Sequence, residues 1–282
     1  MLLNASQQLV TYRKLSFDGL HFGRIGTDFM LSDQESIASE AFSDSARALT
    51  NTLVVVIGGS SGIGRAIAAQ ADNAGARVVI ASRNRQKVDD AVAQLSNSAR
   101  GEVVDLTDDT SIEAFFGQVG PIDHLVLPGS SLNVGPLRTL PLADARASMA
   151  SKFWGPYAAV KSATLSSAAS VVLFSGVASR KPSIGAPVAS AINAAVETLG
   201  KALAIELAPV RVNVVTPGLV DTEFWDAFSK ESRVQLLSSF AEKQLIPRPG
   251  RPDEIAAVVL MLMANKFMNG AVVDVDGGAL LT

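Results

Sequence analysis

A glycine-rich segment of the chain has the composition and spacing of an anion-binding turn. It reads Ile57-Gly58-Gly59-Ser60-Ser61-Gly62-Ile63-Gly64, follows an apolar run at 53–57, and precedes an alanine-rich stretch that begins near Arg65. Glycine lets the chain turn sharply and approach a pyrophosphate without a Cβ clash. The start of the following helix supplies free N–H groups and a partial positive charge. Since strand, turn and helix follow in the required order, the segment predicts dinucleotide binding.

The end of the second apolar run bears on which dinucleotide is bound. It reads Ala81-Ser82-Arg83-Asn84-Arg85. NAD-binding proteins place a carboxylate about where Ser82 stands, to accept hydrogen bonds from the adenosine ribose hydroxyls. That carboxylate is absent, and the guanidinium of Arg83 would attract a 2′-phosphate. We therefore predict NADP(H), with NAD(H) as the less favoured cofactor. The alternative is that Arg83 and Arg85 are solvated residues at the start of a helix.

Alternating strands and helices must position these segments. Apolar, mostly β-branched runs predict buried parallel strands at Leu53–Ile57, Arg77–Ala81, Gly101–Asp105, His124–Leu127, Ser170–Phe174, Arg211–Thr216 and Ala271–Asp274. Helices are predicted between them at Arg65–Ala74, Gln86–Leu95, Thr110–Gln118, Ala143–Leu165, Ala189–Leu207 and Pro252–Ala264. This order predicts an α/β fold, a Rossmann-like doubly wound parallel sheet with three layers (α/β/α).

The first fifty residues differ in character from the rest. We predict an N-terminal extension at 1–50 and a dinucleotide-binding domain at 51–282. Alternation around Asp18-Gly19 predicts a small β-hairpin, and Ser32 with Glu35 resembles a capping box that opens a helix through about Ala46. The extension carries no identifiable chemistry, so a packed appendage, a lid, an oligomer contact and a leader remain open.

Composition excludes several classes of function. The chain has 282 residues, 48% hydrophobic and 18% charged, with a net charge of −3, which favours a soluble globular protein over a nucleic-acid binder. It has no cysteine and only two histidines, His21 and His124, so we predict no disulfide, thiolate or metal site. The apolar stretch Ile255–Ala264 is shorter than the roughly 20 residues that span a bilayer. No membrane contact and a cytoplasmic location are expected, because a secretory signal is not recognisable.

The spacing Gly-x-x-x-Gly-x-Gly resembles that of the short-chain dehydrogenase/reductase family, and landmarks from about Leu53 to Leu280 agree with it. They include Asp105 after the third strand, Asp123 before the fourth, Pro217–Thr222 after the sixth, and Val273–Gly278 at the end. The resemblance implies that Asp105 contacts the adenine amine and that Thr222 binds near the nicotinamide carboxamide or the pyrophosphate. The implied cofactor contacts are Gly58, Ser60, Ser61, Gly62, Ile63, Gly64, Ser82, Arg83, Asp105, Leu106, Gly129, Asn193, Pro217, Gly218 and Thr222.

The same resemblance implies an unusual active site. Family members that reduce carbonyls use a Tyr-x-x-x-Lys pair, a serine about thirteen residues before the tyrosine, and an asparagine on the preceding long helix. The tyrosine exchanges the proton that accompanies hydride transfer, and the lysine lowers its pKa. In this chain Asn193 stands at the lysine position and Ala189 at the tyrosine position. Gly176 takes the serine position and Lys152 the asparagine position. All four positions are changed.

A lysine is thus lost at one position and gained at another that should line the same pocket. Lys152 could hold a ribose hydroxyl, polarise a carbonyl, or serve as an acid if burial lowers its pKa. Asn193 could still bind the ribose, and Ser175, beside Gly176, is a third candidate catalytic residue. The alternative is a lysine that extends from its helix to solvent.

Other aromatic residues admit a functional and a packing interpretation. Tyr157 and Lys161 reproduce the Tyr-x-x-x-Lys spacing but precede the fifth strand, where interface or core packing is more typical. The segment after the sixth strand could cover an apolar substrate pocket or pack as ordinary helix; its aromatics are Phe224, Trp225, Phe228 and Phe240.

Three functions are compatible with the sequence. The favoured one is an NADP(H)-dependent oxidoreductase with an atypical active site, acting on a carbonyl, an alcohol or an activated double bond. The second is a catalytically inactive dinucleotide-binding sensor or partner subunit. The third is a non-redox enzyme, such as a cyclase or isomerase, that reuses the cleft. The resemblance also implies a small-molecule substrate and a homo-oligomer, dimer or tetramer, formed through the helices at 143–165 and 189–207 and the C-terminal segment.

Overall fold

The computed structural model describes residues 48–96, 98–129, 131–227, 229–242 and 244–282. The extension predicted at 1–50 lies almost entirely outside these residues, together with its hairpin and its helix. The division into an extension and a domain therefore stays a prediction.

A parallel sheet of seven strands forms the centre of the described structure, in the order β3-β2-β1-β4-β5-β6-β7. The order reverses at β1, which pairs with β2 on one side and with β4 on the other. Such a reversal leaves a crevice at the carboxyl ends of the strands. The strands are β1 Leu53–Ile57, β2 Arg77–Ser82, β3 Arg100–Val103, β4 Ile122–Leu127, β5 Leu165–Phe174, β6 Arg211–Pro217 and β7 Val272–Val275.

Helices cover both faces of the sheet and confirm the predicted Rossmann-like, three-layer fold. They are α1 Gly62–Asn73, α2 Arg85–Val92, α3 Asp109–Val119, α4 Leu142–Met149, α5 Gly155–Ser162, α6 Pro187–Glu206, α7 Lys230–Ala241 and α8 Pro252–Ala264. A π turn, Ala150–Trp154, joins α4 to α5, and short 3-10 helices lie at Val177–Ser179, Glu223–Ala227 and Ala279–Leu281.

The core follows from the two-residue period of the strands. In β1, Val55 packs into one cluster with Ile192 of α6, whereas Val54 and Val56 pack into the other with Ile67 of α1. Because both faces of a parallel sheet are covered, β1 is apolar and buried at every position. These buried strands fix the loops at their carboxyl ends.

Several predicted boundaries were wrong. The helix predicted at Ala143–Leu165 is interrupted by the π turn and ends at Ser162, because Leu165 already pairs with Ile122 at the start of β5. The first residues of β5 are polar or partly exposed and gave no strand signal. The strand predicted at Gly101–Asp105 ends at Val103. Helix α7 was not predicted, because its apolar residues do not form one stripe.

Within the described residues, α6 is long and apolar enough to cross a membrane by length and composition alone. Its buried residues Ile192, Val196 and Leu203 pack in the core. Core helices share this composition, so the helix is weak evidence for a membrane.

Buried polar groups anchor the sheet away from the crevice. His124 Nδ1 lies 2.8 Å from Ser170 Oγ on the neighbouring strand. Burial lowers the pKa of His124 to about 4, the Asp123 carboxylate opposes that change, and the Arg211 cation adds to it. Arg211 donates to the carbonyls of Leu262 (2.7 Å) and Met263 (2.8 Å) at the end of α8. These contacts give His124 and Arg211 structural partners.

Candidate active site and dinucleotide cleft

A cleft of about 850 Å³ opens where the loops after the first six strands, β1 to β6, meet. All the residues predicted to contact a cofactor line this cleft except Asn193. Lys152, Ser175 and Gly176 line it as well, so the glycine turn and the altered catalytic positions share one cavity.

Close backbone packing explains the glycines of the first turn. Gly58 has φ +98°, and a Cβ there would lie 2.3 Å from Gly129 Cα in the loop after β4. A Cβ at Gly64 would lie 2.1 Å from the Gly58 carbonyl oxygen. A larger residue at Gly58 would push the turn away from the loop after β4, and one at Gly64 would push α1 away from the turn. The glycines therefore let the backbone of the turn line the cleft.

The N-terminus of α1 already binds an anion. Glu223 Oε2 accepts a hydrogen bond from Gly62 N (2.8 Å), and its Oε1 accepts one from Arg65 Nη2 (2.7 Å). The carboxylate oxygens stand where phosphate oxygens would bind at the start of this helix. The turn therefore fits an anionic group such as a pyrophosphate. Glu223 was not predicted from the sequence, because it lies 161 residues from Gly62.

Polar and basic groups surround the end of β2. Ser60 Oγ donates to Ser82 Oγ (2.9 Å), and Arg83 Nη2 donates to Ser131 Oγ (2.9 Å). Lys87, in the first turn of α2, also lines the cleft. This end of the cleft therefore presents two cations, Arg83 and Lys87. Of these two cations only Arg83 was predicted from the sequence. Lys87 could have been found from its position in the first turn of the helix that follows Arg83.

Asp105 closes the cleft after β3. Its Oδ1 accepts from Thr107 N (2.9 Å) and Thr107 Oγ1 (2.8 Å). Burial favours the neutral acid, but these two hydrogen bonds and the Arg83 cation outweigh it and hold the pKa of Asp105 below its ordinary value. Asp105 is thus an ionised hydrogen-bond acceptor on the cleft wall.

Lys152 reaches the cleft from the π turn between α4 and α5. Its Nζ donates to the main-chain carbonyl of Ser175 (3.1 Å). Burial lowers the pKa of Lys152 to about 8. Gly155, which follows the turn, packs closely on the loop after β3: a Cβ at Gly155 would lie 2.5 Å from the Leu106 carbonyl oxygen. Lys152 is thus a partly desolvated cation, and an ammonium has three N–H donors.

Ser175 connects Lys152 to α6. Its Oγ lies 2.9 Å from Glu197 Oε1 and 3.1 Å from the Asn193 carbonyl oxygen. Ser179 Oγ donates to the same Glu197 oxygen (2.5 Å). The hydroxyl of Ser175 therefore points to the helix while its carbonyl holds Lys152. Glu197 was not recognised in the sequence, because a glutamate on a helix is usually solvated.

Asn193 lies on α6 beside Gly176. It is buried, and its Oδ1 has no hydrogen-bond partner in the described part of the chain. Its Nδ2 lies 3.0 Å from where a Cβ of residue 176 would be. Neither Asn193 nor Ala189 lines the cleft. Lys152 and Asn193 both contact Ser175, but only the longer lysine side chain reaches the cavity.

The remaining aromatic residues divide between surface and cleft. Tyr157 is 41% exposed and packs edge-to-face on Trp154, with ring centroids 6.0 Å apart. Neither Tyr157 nor Lys161 lines the cleft. Trp225 does, and its Nε1 donates to the Val220 carbonyl (2.8 Å). Phe240 is 49% exposed, while Phe228 and the side chain of Phe224 lie outside the described residues.

Within the described ranges, no three His, Asp or Glu side chains are arranged to hold a metal ion.

The doubly wound sheet, the glycine turn and the anion-binding start of α1 define a dinucleotide-binding protein of the Rossmann type. The family model described as enoyl-(acyl carrier protein) reductase matches residues 57–279. The short-chain dehydrogenase/reductase ucsE of Acremonium sp. is 34% identical over 256 residues, which cover 83% of this chain and 97% of that protein. The chain therefore belongs to the short-chain dehydrogenase/reductase family of oxidoreductases, which bind a nicotinamide cofactor.

Solved structures agree with this assignment. The MalC reductase/Diels-Alderase of Malbranchea aurantiaca has a TM-score of 0.78 and 26% identity; the match covers 84% of this chain and all of that one (100%). A small-chain dehydrogenase in complex with NADPH has a TM-score of 0.70 and 32% identity, covering 82% of this chain and 100% of that one.

Proposed function

We propose that this protein is an NADP(H)-dependent oxidoreductase with an atypical active site. It would transfer a hydride to or from a carbonyl, an alcohol or an activated double bond. The observation that carries the proposal is that a single cleft is lined by the glycine turn, by Arg83 and by Lys152.

The described residues fit NADP(H) at both of its anionic parts. The Gly62 N–H at the start of α1, which here donates to a carboxylate, suits the pyrophosphate. Arg83 and Lys87 suit a 2′-phosphate, and no carboxylate stands at Ser82 to repel it. The similarity to a dehydrogenase in complex with NADPH supports this choice. A bound nicotinamide would supply or accept the hydride.

Lys152 is the proposed proton donor. As a carbonyl carbon gains a hydride, its oxygen becomes negative; the ammonium of Lys152 gives that oxygen a proton and is left as a neutral amine. Alcohol oxidation runs in reverse. A pKa of about 8 suits this exchange near neutral pH. Ser175 holds Nζ through its carbonyl, and Asn193 contacts Ser175. Both are therefore proposed as positioning residues.

The apolar part of the cleft wall favours a partly apolar small molecule as substrate. Leu106, Leu132, Val220 and Trp225 contribute its apolar surface. Members of the family act on small molecules and are often oligomeric, and we propose a homo-oligomer (dimer or tetramer) in the cytoplasm.

Nucleotide binding is the first test. We expect NADPH to bind more tightly than NADH in isothermal titration calorimetry. Arg83→Ala should weaken NADPH binding about 10- to 100-fold, since a charged hydrogen bond contributes about 1.5–3 kcal/mol, and should leave NADH binding unchanged. Arg85→Ala is the matched control, because Arg85 does not line the cleft. Equal losses for both nucleotides, or from both variants, would contradict the assignment of Arg83.

Turnover is the second test. NADPH oxidation would be followed over a panel of carbonyl and enone compounds, with Lys152→Met and the exposed Lys161→Met as a matched pair. Reduction should fall in rate as the pH rises through about 8, because the ammonium then loses its proton. Only Lys152→Met should abolish that dependence.

A second candidate is a dinucleotide-binding protein without redox turnover: a sensor, a partner subunit, or a non-redox enzyme that uses the same cleft. The residues at the usual serine and tyrosine positions, Gly176 and Ala189, carry no proton donor, and a structurally similar protein is described as both a reductase and a Diels-Alderase. This candidate would be favoured if NADPH binds tightly but is not oxidised with any compound of the panel, and if Lys152→Met leaves that binding unchanged.

A further inference from the structure

We propose that Glu223 is an internal competitor for the pyrophosphate position, so that a dinucleotide enters only when this carboxylate leaves the start of α1. The inference rests on the proposed dinucleotide binding and adds a residue that regulates it.

The contacts of Glu223 are those of a bound anion. Its two oxygens accept from the main-chain N–H of Gly62 and from the side chain of Arg65, at 2.8 and 2.7 Å. Gly62 has φ +50°, and Thr222, which precedes Glu223, lies against it, 3.2 Å from where a Cβ would be. The segment after β6 therefore crosses the N-terminus of α1 and presents a carboxylate to it.

Glu223 and a pyrophosphate cannot use this position together. The Gly62 N–H has a single hydrogen to donate, and two anions at one helix N-terminus repel each other. The Arg65–Glu223 pair is nearly half exposed, with side chains 44% and 38% accessible. Pairs of this exposure are weak, so a ligand with two phosphates can displace the carboxylate at a modest cost in affinity.

Release of Glu223 would also change the substrate side of the cleft. The 3-10 helix that begins with Glu223 carries Trp225, which lines the cavity. This helix is tied to α7 by Arg233, which pairs with Asp221 (2.7 Å) and with Asp226. Because Glu223 and Trp225 belong to the same short helix, movement of Glu223 would also move Trp225, and dinucleotide binding would reshape the wall before a substrate enters.

The test compares Glu223→Gln with Glu231→Gln. Both remove one negative charge from the chain that follows β6, but Glu231 is an exposed residue of α7 and not of the 3-10 helix. Affinities for NADPH and for adenosine 2′-monophosphate would be measured by isothermal titration calorimetry on the full chain. We expect Glu223→Gln to bind NADPH about three- to tenfold more tightly than the wild type. Its affinity for the monophosphate, which has no pyrophosphate, should be unchanged, and Glu231→Gln should match the wild type for both ligands.

Each outcome decides the proposal. Equal or weaker NADPH binding by Glu223→Gln overturns it, and so does an equal gain for the monophosphate, because the effect would then not be local to the pyrophosphate. Glu223→Ala, which removes the carboxylate altogether, provides a second variant if the first is poorly folded. If neither wild type nor variant binds NADPH or NADH, the proposed function itself fails and the inference falls with it; wild-type binding without a gain in the variant rejects the inference alone.

Discussion

Replacing Lys152 with methionine is expected to stabilise the protein at neutral pH. Burial lowers the pKa of Lys152 from 10.5 to about 8, so the charged form costs about 3 kcal/mol in the folded state relative to the unfolded chain. Methionine has a similar length and no charge. It leaves the Ser175 carbonyl without its donor, which costs about 1 kcal/mol. The net gain in the free energy of unfolding is therefore about 2 kcal/mol.

The sign of the pH dependence follows from the same pKa. Below about pH 8 the lysine is charged in the folded and in the unfolded state, and the full destabilisation of about 3 kcal/mol is present. Between pH 8 and 10.5 the folded state loses its proton first, so the cost declines, and above 10.5 it is gone. The advantage of Lys152→Met should thus shrink from pH 8 to pH 10.5.

Urea unfolding at pH 7 and at pH 9.5 measures this difference, and the melting temperature at pH 7 should rise by about 4–8 °C. Lys161→Met, on the exposed face of α5, should change stability little. The reasoning is refuted if Lys152→Met is less stable than the wild type at pH 7, or if its gain does not depend on pH. A variant that gains stability while it loses turnover would mark Lys152 as a residue kept for function.

Two further predictions concern stability. The pKa of His124 is about 4 in the folded state, against an ordinary value of 6.5 in the unfolded chain. The free energy of unfolding should therefore fall by up to about 3 kcal/mol as the pH drops from 6.5 to 4, because the unfolded chain binds the proton first. In His124→Gln, urea unfolding should show a weaker pH dependence over this range, and an unchanged dependence would contradict the assignment. Gly58→Ala places a Cβ 2.3 Å from Gly129 Cα at φ +98°, so it should abolish dinucleotide binding and lower the melting temperature. Gly117→Ala, inside α3 with nothing within 4 Å, should instead raise stability by about 1 kcal/mol; the same response from both variants would count against the close packing of the turn.

Much of the fold could be predicted because its signals are local. The alternation that divides β1 between two clusters is written in five consecutive residues, and the glycine turn is continuous in the chain. Elements without a local period were missed: α7 lacks an apolar stripe, and the polar start of β5 forms only because β4 lies beside it. The interruption of the long helix by the π turn gave no recognisable sequence signal.

The sequence by itself determined the class of fold, the position of the dinucleotide turn and most of the residues around it, since each depends on a short segment with its own period or spacing. Only the tertiary structure decided how the altered positions relate. It brings Lys152 to the Ser175 carbonyl and the cleft, keeps Asn193 behind Gly176, and joins Glu223 to the Gly62 N–H across 161 residues. The first βα turn was thus predicted from its glycines, but the carboxylate that accepts a hydrogen bond from its Gly62 N–H comes from a distant loop. Contacts of that range depend on how seven strands and their loops pack, which no spacing in the sequence encodes.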